Sequence, residues 1–339
     1  MSRIRSPALL CSLLAVLTSC DDPPSAPTSP ASPLSAAQAD PLLGFSGIWR
    51  YSRPLPSARA GIAADLLGTS IVVVGGGNGF WTASTRVDAF DVGTRTWRQL
   101  KSLPEPRTRL QGATTINGKL YVAGGASFNS ADSVKRTLFV YDPTTDTWSR
   151  KADTPFWPCG GVQANISGKL YVYNSCDYGD FFEYSPRTDK WRALPKMQWT
   201  EAPFGSPMGD VINGKFYLTG GNDPHNRSNL LHVYDPATRT WTRKRSMPTG
   251  REGAFAVAFH GKLFVAGGLV RSSTGTLSET TKVEAYDPVT DTWAEGPPLP
   301  SHRALGGSAY VGGKFYTLGG TVNGLNGVSS KVEALSTSY

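Results

Sequence analysis

Six times along this chain an apolar strand ends in a glycine pair or its stand-in, and a second strand follows that ends in a Tyr-Asp-Pro-like corner. The first halves are Ile71–Gly76, Leu120–Gly125, Leu170–Ser175, Phe216–Gly221, Leu263–Gly268 and Phe315–Gly320. In five of the six units a tryptophan comes next: Trp97, Trp148, Trp191, Trp241 and Trp293. A repeat of roughly 50 residues restricts the chain to solenoids, propellers or arrays of one supersecondary unit. The 37 glycines and a charged fraction of only 18% agree with many short strands joined by turns.

Each unit divides into four strands. The first is moderately apolar, as in Gly112–Ile116, and leads into a two-residue turn: Asn117-Gly118, Ser167-Gly168, Asn213-Gly214, His260-Gly261 or Gly312-Gly313. Glycine at the second position suits a type I′ hairpin, which needs positive φ there. The second strand runs into the glycine pair. After a loop of varying length the third ends at corners such as Tyr141-Asp142-Pro143 and Tyr286-Asp287-Pro288, where proline stops the ladder. The fourth opens at the tryptophan.

The Gly-Gly, Tyr-Asp-Pro and Trp spacing resembles the kelch repeat, over about residues 47–339. The resemblance implies an all-β, six-bladed kelch-type β-propeller with four antiparallel strands per blade around a channel. The sixth unit has three strands, near Leu305–Tyr310, Lys314–Gly319 and Lys331–Leu335, and too few residues follow for a fourth. Gly47–Ser52, with Trp49, carries the fourth-strand signature and precedes Leu55-Pro56-Ser57-Ala58-Arg59, as Trp97 precedes Leu103-Pro104-Glu105-Pro106-Arg107. The N-terminal strand is therefore expected to complete the last blade, which removes an open sheet edge.

Three segments are expected: a targeting peptide at 1–19, a lipidated cysteine with its tether at 20–43, and the propeller at 44–339. Arg3 and Arg5 precede a short apolar run, Ala8–Leu17, too short to span a bilayer. Leu17-Thr18-Ser19-Cys20 resembles the lipobox of bacterial lipoproteins, which implies lipidation of Cys20 and a periplasmic or cell-surface protein in the cell envelope. Residues 21–42 are rich in Pro, Ser and Ala and cannot bury a core. Extended at roughly 3.1 Å per residue, such a tether reaches about 70 Å.

Unit three departs from the pattern. Asn174-Ser175 replaces the glycine pair, and Cys159 and Cys176 flank the hairpin. With Ser167-Gly168 as the turn, these cysteines face each other on adjacent strands, and export favours a disulfide between them. Two cysteines with no nearby histidine fall short of a metal site.

The loops after strands two and four share one face of a blade, and a ligand is expected there. Arg59, Arg107, Arg251 and Arg303 begin four innermost strands, while units three and four offer Phe156-Trp157-Pro158 and Trp199–Phe204. Cations on one side of a channel mouth and aromatics on the other suit a glycan or an anionic ligand. The competing reading is that the arginines tie neighbouring blades together through backbone carbonyls. Asp223 lies in the most polar loop, Asn222–Asn226, which also makes an ordinary turn.

The four histidines are not placed with a nucleophile or a ligand set. Galactose oxidase has a kelch-type propeller, but its copper needs paired tyrosines and histidines with a tyrosine–cysteine link, so neither that chemistry nor any other cofactor is expected. The net charge of +8 is spread along the chain without a basic, aromatic-interleaved run, so no nucleic acid is expected. The expected function is a membrane-anchored, non-catalytic binding module for a protein or glycan. The alternative is a carbohydrate-active enzyme such as a sugar epimerase or mutarotase.

Overall fold

The computed structural model describes residues 44–337 except 80–81, 111, 128–134, 159, 176–178, 199–201, 204 and 222–228. Six four-stranded antiparallel sheets follow one another in order. Blade one is built from Ala60–Leu67, Ser70–Gly77, Val87–Asp91 and Thr96–Gln99. Blade two uses Thr114–Ile116, Lys119–Ala123, Leu138–Asp142 and Thr147–Lys151, and blade three Gly161–Ile166, Lys169–Asn174, Asp180–Ser185 and Lys190–Ala193. Blade four uses Pro207–Ile212, Lys215–Gly220, Leu231–Asp235 and Thr240–Lys244; blade five uses Phe255–Phe259, Lys262–Ala266, Val283–Asp287 and Thr292–Glu295. Blade six joins Gly307–Val311, Lys314–Leu318 and Val332–Thr337 to the N-terminal strand Gly47–Tyr51. No helix among the described residues is long and apolar enough to cross a membrane.

The N-terminal strand pairs antiparallel with Val332–Thr337, with Trp49 opposite Leu335. Phe45, just before it, packs edge-on against Phe264 and lies over Gly296, where a Cβ would come within 2.0 Å of its ring. The closing strand is thus docked on blade five as well as blade six.

The apolar core lies between blades. Buried residues fall into six clusters, one for each contact between consecutive blades, including that of blade six with blade one through Ile62, Ile71, Phe90, Tyr316 and Val332. This is why the third-strand tyrosines and fourth-strand tryptophans recur. Tyr141 packs at a tilt against Trp148 with ring centroids 5.2 Å apart, and Tyr286 against Trp293 at 5.3 Å. Each tryptophan also donates its indole N–H to a carbonyl of the linker arriving from the previous blade, as Trp148 does to Lys101 at 2.8 Å and Trp191 to Ala152 at 2.9 Å.

The five two-residue turns have positive φ at both positions, for example Asn117 at 51° and Gly118 at 73°. In blades one to five the fourth strand begins one residue before the tryptophan rather than at it. In blade three the hairpin register runs out to Gly161 opposite Asn174, and Ser175 N–H reaches Gly160 O at 3.2 Å. Cys20, Cys159 and Cys176 lie outside the described residues.

Candidate functional site

Each linker into blades one, two, five and six carries a buried apolar anchor, a proline and then the arginine four residues on: Leu55, Leu103, Met247 and Leu299 precede Arg59, Arg107, Arg251 and Arg303. All four arginines are buried, none exposed by more than 2%. Their side chains are engaged inside their own blades. Arg59 pairs with Asp88 at 2.7 Å. Arg303 meets Glu333 at 2.5 Å, the Thr317 hydroxyl at 2.6 Å and the Gly319 carbonyl at 2.7 Å. The Arg251 and Glu284 charges approach to 2.8 Å without hydrogen-bond alignment, and Arg251 donates to Val265 O at 3.1 Å. Arg107 donates to the Thr137 hydroxyl and Glu105, with its guanidinium 5.5 Å from the Phe139 ring centroid. Burial pulls each guanidinium pKa below its ordinary value, and the acidic partner opposes this.

The main chain of the same residues makes the tie between blades. The second glycine of each preceding pair donates to the arginine carbonyl: Gly76 to Arg107, Gly221 to Arg251, Gly268 to Arg303 and Gly320 to Arg59, at 2.8–3.1 Å. A Cβ on the first glycine would strike that carbonyl, at 2.7 Å from Gly75 and 2.5 Å from Gly267. The glycine pair and the arginine are therefore two halves of one joint. Where the arginine is missing the joint changes. Pro158 packs on Gly124, and Ser175 of blade three bonds the Gly205 carbonyl at 2.6 Å through its hydroxyl.

Two residues after each arginine the chain adopts the left-handed conformation, at Gly61, Arg109, Gly253 and Leu305, with φ of 64°, 48°, 60° and 55°. Backbone hydrogen bonds link these positions around the channel mouth. Gly253 N–H donates to Ser206 O, Leu305 N–H to Gly253 O, and Gly61 N–H to Leu305 O. On the same face, the loops after the second strands of blades five and six form small hairpins: Leu269–Arg271 with Leu277–Glu279, and Thr321–Val322 with Gly327–Val328. The Glu279 carboxylate joins them by accepting from Gly324 and Leu325 N–H at 2.8 and 3.1 Å.

The channel encloses about 730 Å³ and is lined largely by small residues such as Ala64, Gly209 and Ala256. Leu110, Leu277, Leu305 and Leu325 rim its loop-face mouth. The charged residues lining it, among those described, are Asp65, Arg109, Asp210 and Glu252. Asp65 accepts from the Thr115 N–H of blade two at 2.6 Å, and Asp210 from the Ala258 N–H of blade five at 2.7 Å. Burial pushes both carboxyls up to about 6. Glu252 is also held above the usual carboxylate range by burial.

Of the residues expected at the site, the four arginines lie beneath the mouth with their guanidiniums committed. Trp157 is exposed, with the Arg136 guanidinium 5.6 Å from its ring centroid, while Phe156 beside it is buried on Phe182. Trp199 and Asp223 lie outside the described residues. The sequence reading overlooked the three channel carboxylates. Glu252 occupies a position that is Ala60, Thr108 and Ala304 in the other arginine-bearing blades, a contrast visible by aligning the four linkers. Among the described residues no group of three His, Cys, Asp or Glu side chains is placed to hold a metal.

Comparison with known proteins agrees with this architecture. Residues 48–206 match the KLHDC2/KLHL20/DRC7 Kelch-repeats domain, and residues 210–248 and 250–300 match the Kelch motif. Kelch-like protein 36 of Bos taurus is 28% identical over 76% of this chain and 43% of its own length. Alpha-scruin of Limulus polyphemus is 27% identical over 66% of the chain and 26% of its own length. The chain spans about two fifths of the length of the Kelch-like relatives it matches. The solved structure of YjhT superposes with a TM-score of 0.72 at 19% identity, covering 84% of this chain and 97% of that one, which speaks to fold alone. The chain is a kelch-repeat protein, a six-bladed β-propeller closed by its own N-terminal strand.

Proposed function

We propose that this propeller is a non-catalytic protein-binding module whose recognition surface is the loop face around the channel mouth. The observation that carries the reading is the leucine rim. Leu110, Leu277, Leu305 and Leu325 come from four separate loops and converge on one opening. An apolar rim over a wide channel suits an inserted peptide segment better than a charged sugar. The exposed Trp157 extends that surface on the blade-three side. Kelch-like relatives support an interaction role at the level of the fold. Lipidation of Cys20 and the Pro-rich tether would present this face outside the membrane, with a Cys159–Cys176 disulfide suited to that compartment.

The test is site-specific photo-cross-linking in the native host. A photoreactive residue at Leu277 should capture one recurrent protein, and the same group at Val289, 91% exposed in a strand-three corner on the other face, should not. Capture at Val289 alone would refute the reading. A glycan array with Arg107→Ala and Arg251→Ala covers the sugar-binding alternative: arginine-dependent glycan binding at unchanged thermal stability would favour a ligand clamp instead. Mass spectrometry of the processed N-terminus reports lipidation of Cys20, and thiol titration of the unreduced chain reports the disulfide.

A further inference from the structure

Glu252 is out of place by the rules of its own fold. Its equivalents after the other three buried arginines are Ala60, Thr108 and Ala304, which are small and uncharged. It sits at the channel mouth on blade five, only 9% exposed, its backbone fixed by paired hydrogen bonds with Leu269 at 3.0 and 2.8 Å. Among the described residues no donor reaches its carboxylate, and the charge that acts on it is that of Arg271, an exposed side chain that donates to Gly275 O at 2.8 Å. The other acidic groups of the channel differ. Asp65 and Asp210 each accept backbone N–H bonds from the next blade and so serve the ring itself. A carboxylate so largely buried and without a donor is held above its ordinary range, and a cation delivered through the channel would stabilise its ionised form.

The surroundings choose the kind of cation. Among the described residues the channel lining carries three carboxylates and one guanidinium, Arg109, in a chain whose formal charge is +8. The described lining therefore differs in sign from the chain as a whole. Leu269 pairs with the Glu252 backbone, Leu305 packs on Gly253, and both line the channel with Leu277, a lining that would bury an apolar stem. We propose that the channel mouth takes a cationic nitrogen on an apolar stem, an amine or guanidinium, with Glu252 as its counter-ion. This rests on the protein-binding reading and gives the inserted segment its chemistry: a lysine or arginine flanked by apolar residues. A free amine of the same shape satisfies the same contacts.

Three probes share one apolar body and differ in the head group: 4-phenylbutylamine, 4-phenylbutan-1-ol and 4-phenylbutyrate. Titrated against the full chain by calorimetry, the amine should bind at least about tenfold more tightly than the alcohol, with the carboxylate weakest. Glu252→Gln should bring amine and alcohol within about twofold while leaving alcohol binding in place. Arg271→Ala, at an exposed position that should not disturb folding, should strengthen amine binding. A capped Leu-Leu-Lys-Leu-Leu peptide distinguishes the sources: peptide binding tighter than that of the amine and weakened by Glu252→Gln assigns the cation to a partner chain, and amine binding without peptide binding assigns it to a small molecule. Preference for the carboxylate, an amine preference that survives Glu252→Gln, or binding by none of the probes would overturn the proposal. A partner captured at Leu277 alongside any of these results would leave the protein-binding reading intact and remove only this one.

Discussion

The indole N–H of Trp49 donates to the carbonyl of Pro297 at 2.9 Å across 248 residues of sequence. The same bond recurs in the other five blades, from Trp97 to Arg53, Trp148 to Lys101, Trp191 to Ala152, Trp241 to Pro195 and Trp293 to Arg245, at 2.8–3.1 Å. Trp49 therefore occupies the outer-strand tryptophan position of blade six, and the ring is closed by chain ends instead of a covalent link. The strand it belongs to also covers an edge that would otherwise be open to pairing.

Deletion of residues 44–52 removes the five backbone pairings of the closing strand together with Phe45 and Trp49. Burial of a large apolar side chain contributes roughly 1.5–3 kcal/mol. The melting temperature should fall by about 10 °C or more. Differential scanning calorimetry of the truncated propeller checks this, and an unchanged midpoint would contradict closure by this strand.

Arg303 and Glu333 are both wholly buried. Arg303→Met leaves Glu333 as an uncompensated buried charge and should destabilise by about 3–5 kcal/mol. The double variant Arg303→Met/Glu333→Leu should recover most of that loss. Urea denaturation of the three proteins measures it. A single variant of wild-type stability would mean that the arginine is dispensable to the fold.

The glycine pairs offer a graded test. Gly118 and Gly267 both have positive φ, of 73° and 64°, but a Cβ on Gly118 meets open space while one on Gly267 lies 2.5 Å from Arg303 O. Gly118→Ala should cost about 1–2 kcal/mol, the penalty of the left-handed conformation alone. Gly267→Ala should cost at least about 1 kcal/mol more, because blade six must move. Equal losses would show that the joint between blades tolerates a methyl group.

Asp65 and Asp210 have carboxyls raised to about 6 from an ordinary 3.8, chiefly by burial. The folded state thus holds these protons more tightly than the unfolded chain. The stability they lend is full below about pH 4 and is lost as pH rises through about 6. Relative to wild type, Asp65→Asn and Asp210→Asn should each gain about 2 kcal/mol on going from pH 4 to pH 7. Denaturation midpoints at the two pH values read this out, and a relative loss over the same interval would reverse the sign.

The repeat made the blades legible because each residue type in it answers to a single local demand: glycine to the joint, tryptophan to the linker carbonyl, Asn-Gly to the turn. The closing strand was legible because Trp49 and Leu55 reproduce the spacing of Trp97 and Leu103. The arginines were harder to place, since Pro-Arg before a strand reads equally as a cation at a mouth or as an anchor beneath it. What decides is the residue across the blade, Asp88, Glu284 or Glu333, about 30 positions further on. The hairpins at 269–279 and 321–328 were hidden because their strands are too short to show alternation. Glu252 was hidden by adjacency to Arg251, which invites a local pair, whereas Arg251 turns to Glu284.

Recognition on the leucine-rimmed face is most directly measured by hydrogen–deuterium exchange of the chain with its cross-linked partner. The account predicts slowed exchange in the hairpins at 269–279 and 321–328 and in the linker around Leu110. Protection confined to the opposite face, at the turns around Asn117, Asn213 and His260, would contradict it.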